Sequence, residues 1–291
     1  MSAKTLGYVY LALAMLLVGS TVVASKIAAG ALPPFTATAL RFALALPCFL
    51  LLLRVTGTPV PRPGRRDGAI LVLQGLAGTA GYTALLMAGL RATSAADAGV
   101  ILGTLPVVAT VAAVALLGER PRPMLLATVA LASAGLFVLH RQPAGTAAGS
   151  MSGNALVFGA VVCEACFILL NKRLRVAVPP LALSTLMSAI GLAASLPFAL
   201  AEAAWTAPVA SSALLAVGYY ALLPTVGGFL LWYAGAARVA ATEAALFTAL
   251  APVAALLLAT LLLGEPVGWR QLAGIAFVLA AVGALAFAKE R

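Results

Sequence analysis

Glu164 is the only charged residue in the apolar run 153–171. A carboxylate in such surroundings costs about 2.5–3.5 kcal/mol on insertion scales. It is therefore a candidate to bind an ammonium group or to take up a proton, the plainer alternative being a neutral or hydrogen-bonded packing group. Cys163 and Cys166 flank it at C-x-x-C spacing, a redox or metal signal in other settings. No histidine is near, and buried thiols behave as small apolar side chains, so neither a metal site nor a cofactor is expected. Tyr82 closes the run Gly75-x-x-Gly78-x-x-Gly81-Tyr82, whose small residues let a helix or a ligand approach the backbone. Gln74 is polar within the same apolar stretch. With Tyr219, Tyr220, Ser20 and Trp232, these side chains suit an apolar cavity with a few polar handles. Trp232 taken alone reads as an interfacial anchor. Arg91 with Asp97, and Arg238 with Glu243, bracket corresponding turns and are gate candidates; as exposed loop charges they would contribute only about 0–1 kcal/mol each. Pro106 and Pro252 each remove a backbone bond in mid-helix and, with Gly78, are hinge candidates. Lys26 and Lys172 end helices, where positive charge suits the dipole. Arg41 reads as snorkelling outward, or otherwise as the holder of a carboxylate.

The elements that position these residues follow from composition. Of 291 residues 63% are apolar and only 9% are charged; soluble domains carry about 25% charge. With a mean hydropathy of +1.10, a soluble enzyme, a disordered chain and a secreted disulfide scaffold are excluded, leaving an all-α polytopic membrane protein. A span needs about 20 apolar residues, so ten transmembrane helices are expected, near 5–29, 34–54, 68–90, 95–117, 121–140, 153–171, 180–202, 211–236, 242–263 and 267–288. The first resembles a signal peptide, with Lys4 before the apolar stretch and Val22-Val23-Ala24 after it. Its apolar stretch exceeds the usual 7–15 residues, and it is expected to stay as a permanent span. The net charge of +10 is expected in cytoplasmic loops rather than against nucleic acid.

A shift of 146 places Gly7 on Gly153, Lys26 on Lys172, Pro33-Pro34 on Pro179-Pro180, Asp97 on Glu243, Pro106 on Pro252, and Gly118-Glu119 on Gly264-Glu265. The chain therefore reads as two five-helix repeats, 1–142 and 153–291, joined by a connecting loop at 143–152. Five is odd, so the second copy crosses in the opposite sense, the inverted-repeat pattern of secondary transporters. With both termini cytoplasmic, thirteen Lys and Arg residues face inward, and only Lys26, Arg91, Arg141 and Arg270 face outward. Under the same shift Val18 stands opposite Glu164, so that charge is not part of the symmetric machinery. No Walker pattern occurs, no ring of like charge suggests a channel, and the eight acids are scattered rather than clustered as an enzyme needs.

Two five-helix halves, each with a mid-helix proline (Pro106, Pro252) and a Gly-Glu thirteen residues on (Gly118-Glu119, Gly264-Glu265), resemble the EamA type of the drug/metabolite transporter superfamily. Gly135 and Gly274 or Gly283 recur in the closing helices. The resemblance spans essentially the whole chain. It implies a bacterial inner-membrane carrier, not an enzyme, that exports amino acids, aromatic or other neutral ones foremost, through a central cavity by alternating access. A membrane enzyme, or a carrier of another metabolite or drug, is the alternative. The expected partners are the lipid bilayer and a small-molecule substrate, with the chain a monomer. Reporter fusions after Arg66, Arg122 and Arg291 are predicted to read cytoplasmic and one after Gly145 periplasmic; a periplasmic reading after Arg291 would end the even helix count.

Overall fold

Proline and glycine set the ends of the helices. The computed structural model describes residues 2–105, 107–109, 111, 112, 131, 150–206, 208–239, 247 and 250–289. Helix α1, Ala3–Ala29, starts under the Ser2 side chain, which accepts from the Thr5 N–H. Helix α2, Pro34–Thr56, opens on a proline whose missing N–H costs nothing there and closes on Gly57 in the left-handed region (φ 62°). Helix α3 runs from Arg65 to Leu90, and α4, Ala95–Leu102, is capped by Ser94. Helix α5, Met151–Lys172, is capped by Ser150, and α6 spans Pro180–Glu202. Helix α7 runs from Ser211 to Ala236, and α8 (Leu250–Leu263) and α9 (Trp269–Lys289) complete the set. The expected fifth span, 121–140, lies outside the described residues but for position 131, and Pro106, Glu119 and Glu243 lie outside them as well.

The observed bounds recur at the offset seen in the sequence. Pro34–Thr56 matches Pro180–Glu202 at both ends, and the starts of α3 and α7, Arg65 and Ser211, are 146 apart. The left-handed residue after α2, Gly57, has its counterpart after α6 in Ala203 (φ 48°). Both α3 and α7 also widen into a π-helical segment at corresponding positions, Leu76–Gly81 and Ala221–Gly227. These widened turns were not expected from the sequence, which placed its hinges at Pro106, Pro252 and Gly78. Pro252 is buried near the start of α8. Gly78 sits inside the first π segment, where an added Cβ would lie 2.3 Å from the Phe167 ring, so it is a packing contact with α5.

Packing is largely between elements distant in sequence: α2 lies along α6, α1 against α7 and α8, and α3 against α5. Two glycine crossings hold the bundle close. A Cβ on Gly89 of α3 would meet the Gly153 carbonyl oxygen of α5 at 2.8 Å, and one on Gly235 of α7 would meet that of Gly7 of α1 at 3.0 Å. At 146 residues, Gly7 matches Gly153 and Gly89 matches Gly235, so this is one contact with the two copies exchanged. Polarity runs inside out: Val55 is 75% and Leu261 76% exposed, whereas Thr38, Gln74 and Ser195 are 0%. Among the described residues six helices are long and apolar enough to cross a membrane.

Ala203 occupies a conformation that costs an L-residue with a Cβ roughly 1–2 kcal/mol and that glycine adopts freely at Gly57. Ala203→Gly is predicted to stabilise the protein by about 1 kcal/mol, read as a higher unfolding midpoint in detergent; an unchanged midpoint would show that the turn is not left-handed in the folded protein.

Candidate functional site

The two π segments bracket a cluster of polar side chains. Thr225 donates from its hydroxyl to the Tyr220 carbonyl five residues back at 2.8 Å, filling the acceptor that a π turn displaces. Thr79, at the corresponding position of α3, donates to the carbonyl of Gly75, four residues back. Immediately beside these segments stand Tyr82 and Thr83 on α3 and Tyr219 and Tyr220 on α7.

Arg41 of α2 turns into this cluster. The outward snorkelling expected for it is corrected here: its Nε donates to the Thr225 hydroxyl at 3.0 Å and its Nη1 to that of Thr83 at 2.9 Å. The guanidinium carbon stacks 3.8 Å from the Tyr220 ring centroid and 4.8 Å from that of Phe42, both good cation–π distances. The physical reason is satisfaction: inside the bundle three helices offer hydroxyls and ring faces, where the lipid side offers none. Glu164 of α5 lies within electrostatic reach of Arg41, and Tyr82 within reach of Tyr220, Glu164 and Arg41. Ser20 of α1 joins from the side, hydrogen-bonded to the Tyr219 hydroxyl at 2.7 Å.

Five acids fall among the described residues, and four of them are held. Glu202 accepts from the Phe35 and Thr36 N–H groups at 3.1 and 2.7 Å. Glu265 accepts from those of Ala95 and Ala96 at 3.0 and 2.9 Å. Asp67 accepts from those of Arg175 and Val176 at 3.1 and 3.2 Å. Asp97 accepts from the Gln271 amide at 2.9 Å. Glu164 differs: no hydrogen bond or ion pair engages its carboxylate among the described residues, and the residue keeps some accessible surface.

Other expected residues sit apart. Trp232 is twelve positions beyond Tyr220 on α7, about 18 Å along the axis at 1.5 Å per residue. Gln74 is sealed at 0% exposure, with neither amide atom hydrogen-bonded among the described residues. Arg91 donates to the Ala29 and Leu32 carbonyls at 3.2 and 2.8 Å rather than to Asp97, while Lys26 donates to those of Leu90 and Thr93. Arg238 is exposed, with its guanidinium 5.5 Å from the Tyr10 ring centroid. Two cavities flank the cluster along α2. One of about 380 Å³ is lined by Lys26, Ala29, Gly30, Leu90 and Arg91, just before the helix begins. Another of about 260 Å³, between Phe49, Ser184, Phe229 and Tyr233, opens further along it. Arg41 falls between them.

Reasoning from the sequence missed Thr83 and Thr225 and misdirected Arg41. The signal was present for one of these: Thr79 and Thr225 share the 146 offset within the Gly-rich stretches.

Fold and site together define a multi-pass α-helical membrane protein with its polar groups gathered inside. The chain belongs to the EamA-like transporter family, which it matches twice, over residues 5–141 and 151–287. It is thus a membrane transporter of this family. An uncharacterized transporter of Bacillus subtilis, YetK, is 33% identical over 281 residues, covering 94% of this chain and 85% of that protein. A probable terminal-alkyne amino-acid exporter of Streptantibioticus cattleyicolor is 30% identical over 208 residues, 71% of this chain and 69% of its own. A crystal structure with 23% identity covers 100% of this chain and 99% of its own at a TM-score of 0.66, a likeness of fold.

Leaving a buried polar group unsatisfied costs about 1–3 kcal/mol. Gln74→Leu is therefore predicted to raise the unfolding midpoint in detergent while leaving transport intact; a loss of transport with an unchanged midpoint would instead mark the amide as a contact for the solute.

Proposed function

We propose that this transporter is a secondary carrier that exports small amine-bearing metabolites, neutral amino acids foremost, with Glu164 as the polar handle for the solute. The observation that carries this reading is the state of Glu164: an acid inside the bundle with no hydrogen-bond partner among the described residues, within electrostatic reach of Tyr82, in a chain whose other described acids are all engaged. The solute's ammonium group supplies the missing partner, and Tyr82, Tyr219 and Tyr220 supply apolar and aromatic surface. The amino-acid exporter among the relatives supports the same solute class.

The units 1–142 and 153–291 form two five-helix repeats of opposite sense, ten spans in all, with the loop 143–152 between them. The matching helix bounds, the paired π segments and the exchanged glycine crossings support this arrangement. Alternating access then rocks one repeat against the other about the cluster, opening in turn toward the cavity beside Lys26 and the one beside Phe49. The carrier resides in the bacterial inner membrane as a monomer, with both termini cytoplasmic.

Counterflow in proteoliposomes against a panel of amino acids and related metabolites tests this. A charge-assisted hydrogen bond contributes about 1.5–3 kcal/mol, so Glu164→Gln is predicted to weaken apparent affinity roughly 10- to 150-fold at normal expression. Tyr82→Ala should impair large solutes more than small ones, and Arg54→Ala, on an exposed position, serves as control. Wild-type transport of every panel member by Glu164→Gln would reduce that carboxylate to a packing group.

A further inference from the structure

We propose that Arg41 is the anchor for a solute carboxylate, so that the solute carried is a zwitterion seated between Arg41 and Glu164. This rests on the reading of Glu164 given above and adds the second half of the recognition.

The argument begins with what holds Arg41. A guanidinium has five N–H donors in one plane. Two are used, by hydroxyls from two different helices, Thr225 on α7 and Thr83 on α3, and one face of the plane lies on Tyr220 at 3.8 Å. Both Nη2 hydrogens and the second Nη1 hydrogen have no partner among the described residues. This outer edge is the parallel pair of donors that a carboxylate takes in bidentate fashion. Hydroxyls fix the direction of the fork without cancelling its charge, which an acid in their place would do. Arg41 is thus aimed and left positive, an expensive state inside a membrane protein unless an anion arrives.

Glu164 is the matching half. Its carboxylate feels the Arg41 charge, yet the two are not in contact: no ion pair joins them. A pair of opposite charges held apart, each with free hydrogen-bonding capacity, fits a net-neutral solute that carries both charges close together. An α-amino acid does so, with its carboxylate on Arg41, its ammonium on Glu164 and its side chain against the Tyr82 and Tyr220 rings. An amine without a carboxylate leaves Arg41 uncompensated; an acid without an amine leaves Glu164 uncompensated. A site built to hydrogen-bond a group rejects the analogue lacking it, because the site's own buried polar groups are then stranded. At the 146 offset Arg41 faces Met187 and Glu164 faces Val18, so neither charge is required by the repeated framework.

The test uses purified full-length protein in proteoliposomes and three probe series: neutral α-amino acids such as phenylalanine and leucine, their decarboxylated amines, and their deaminated acids. Wild type is expected to move at least one amino acid ten-fold or more better than its amine or its acid. Arg41→Gln is expected to lower the amino-acid-to-amine ratio at least ten-fold, and Glu164→Gln to lower the amino-acid-to-acid ratio by a similar factor. Arg41→Lys keeps the charge but not the fork and should lie between; it also carries the test if Arg41→Gln fails to give a monodisperse, cooperatively unfolding protein. Loss of amino acid and amine in equal proportion in the Arg41 variants would make Arg41 a structural residue and overturn the proposal. Wild-type transport of amines as good as that of amino acids would overturn the carboxylate anchor while leaving the reading of Glu164 standing. Transport of none of the three series by wild type would remove both.

Discussion

The hydrocarbon of a bilayer offers no hydrogen bonds, and every polar group inside must find its partner within the chain. Most of what is seen here follows from that. Helices satisfy their own middles but leave N–H groups free at each start, and the chain answers with side chains brought from afar. Glu202 seats on the first N–H groups of α2, and Glu265 on those of α4. Asp67 takes the N–H groups of Arg175 and Val176, just ahead of α6. Serine and threonine hydroxyls inside the spans turn back onto their own helices, as Thr38 does onto the Pro34 carbonyl at 2.6 Å. Against these pairings, the exceptions among the described residues, Ser25, Gln74 and Glu164, stand out.

The carboxylate seats also tie the chain together. Gly264, left-handed at φ 64°, ends α8 and turns the following residue aside. Glu265 then reaches the start of α4, where the helix dipole adds to two charge-assisted bonds. At Gly264-Glu265 the Gly-Glu step thus has a physical meaning: glycine supplies the turn and glutamate the plug for another helix. Lys26 lies within the field of both Glu265 and Asp97, so one end of the bundle carries a small, mostly neutralised polar layer. This accounts for Asp97 being 1% exposed although its sequence position suggested an open turn.

Legibility from the sequence divided along the same line. Helix ends written in proline and glycine were readable: Pro34, Pro180 and the close of α6 at Glu202 fall where the sequence placed them. Glu164 was legible because a lone acid in an apolar run is conspicuous. The π segments were not, since a one-residue widening leaves apolar periodicity nearly intact and shows only as a threonine among glycines and, in α7, as Pro224, whose missing N–H frees the Tyr220 carbonyl. Arg41 was misjudged for a related reason. Its place seven residues into α2 allowed either direction, and only the hydroxyls of Thr83 and Thr225, brought from α3 and α7 by the tertiary fold, decide for the interior. Trp232, twelve residues beyond Tyr220 on α7, keeps the interfacial reading that its sequence position already allowed.

The lack of counterparts for Arg41 and Glu164 has an evolutionary consequence. A duplicated framework constrains paired positions together, because a change in one copy must suit the crossing that its twin also makes. Gly7, Gly89, Gly153 and Gly235 are bound in this way. Positions 41 and 164 answer to nothing in the other copy, and either can change while the helix crossings stand. On the proposal that these two positions hold the solute, cargo preference can change across descendants that still share one architecture, and overall identity between two such carriers becomes a poor guide to what each one moves.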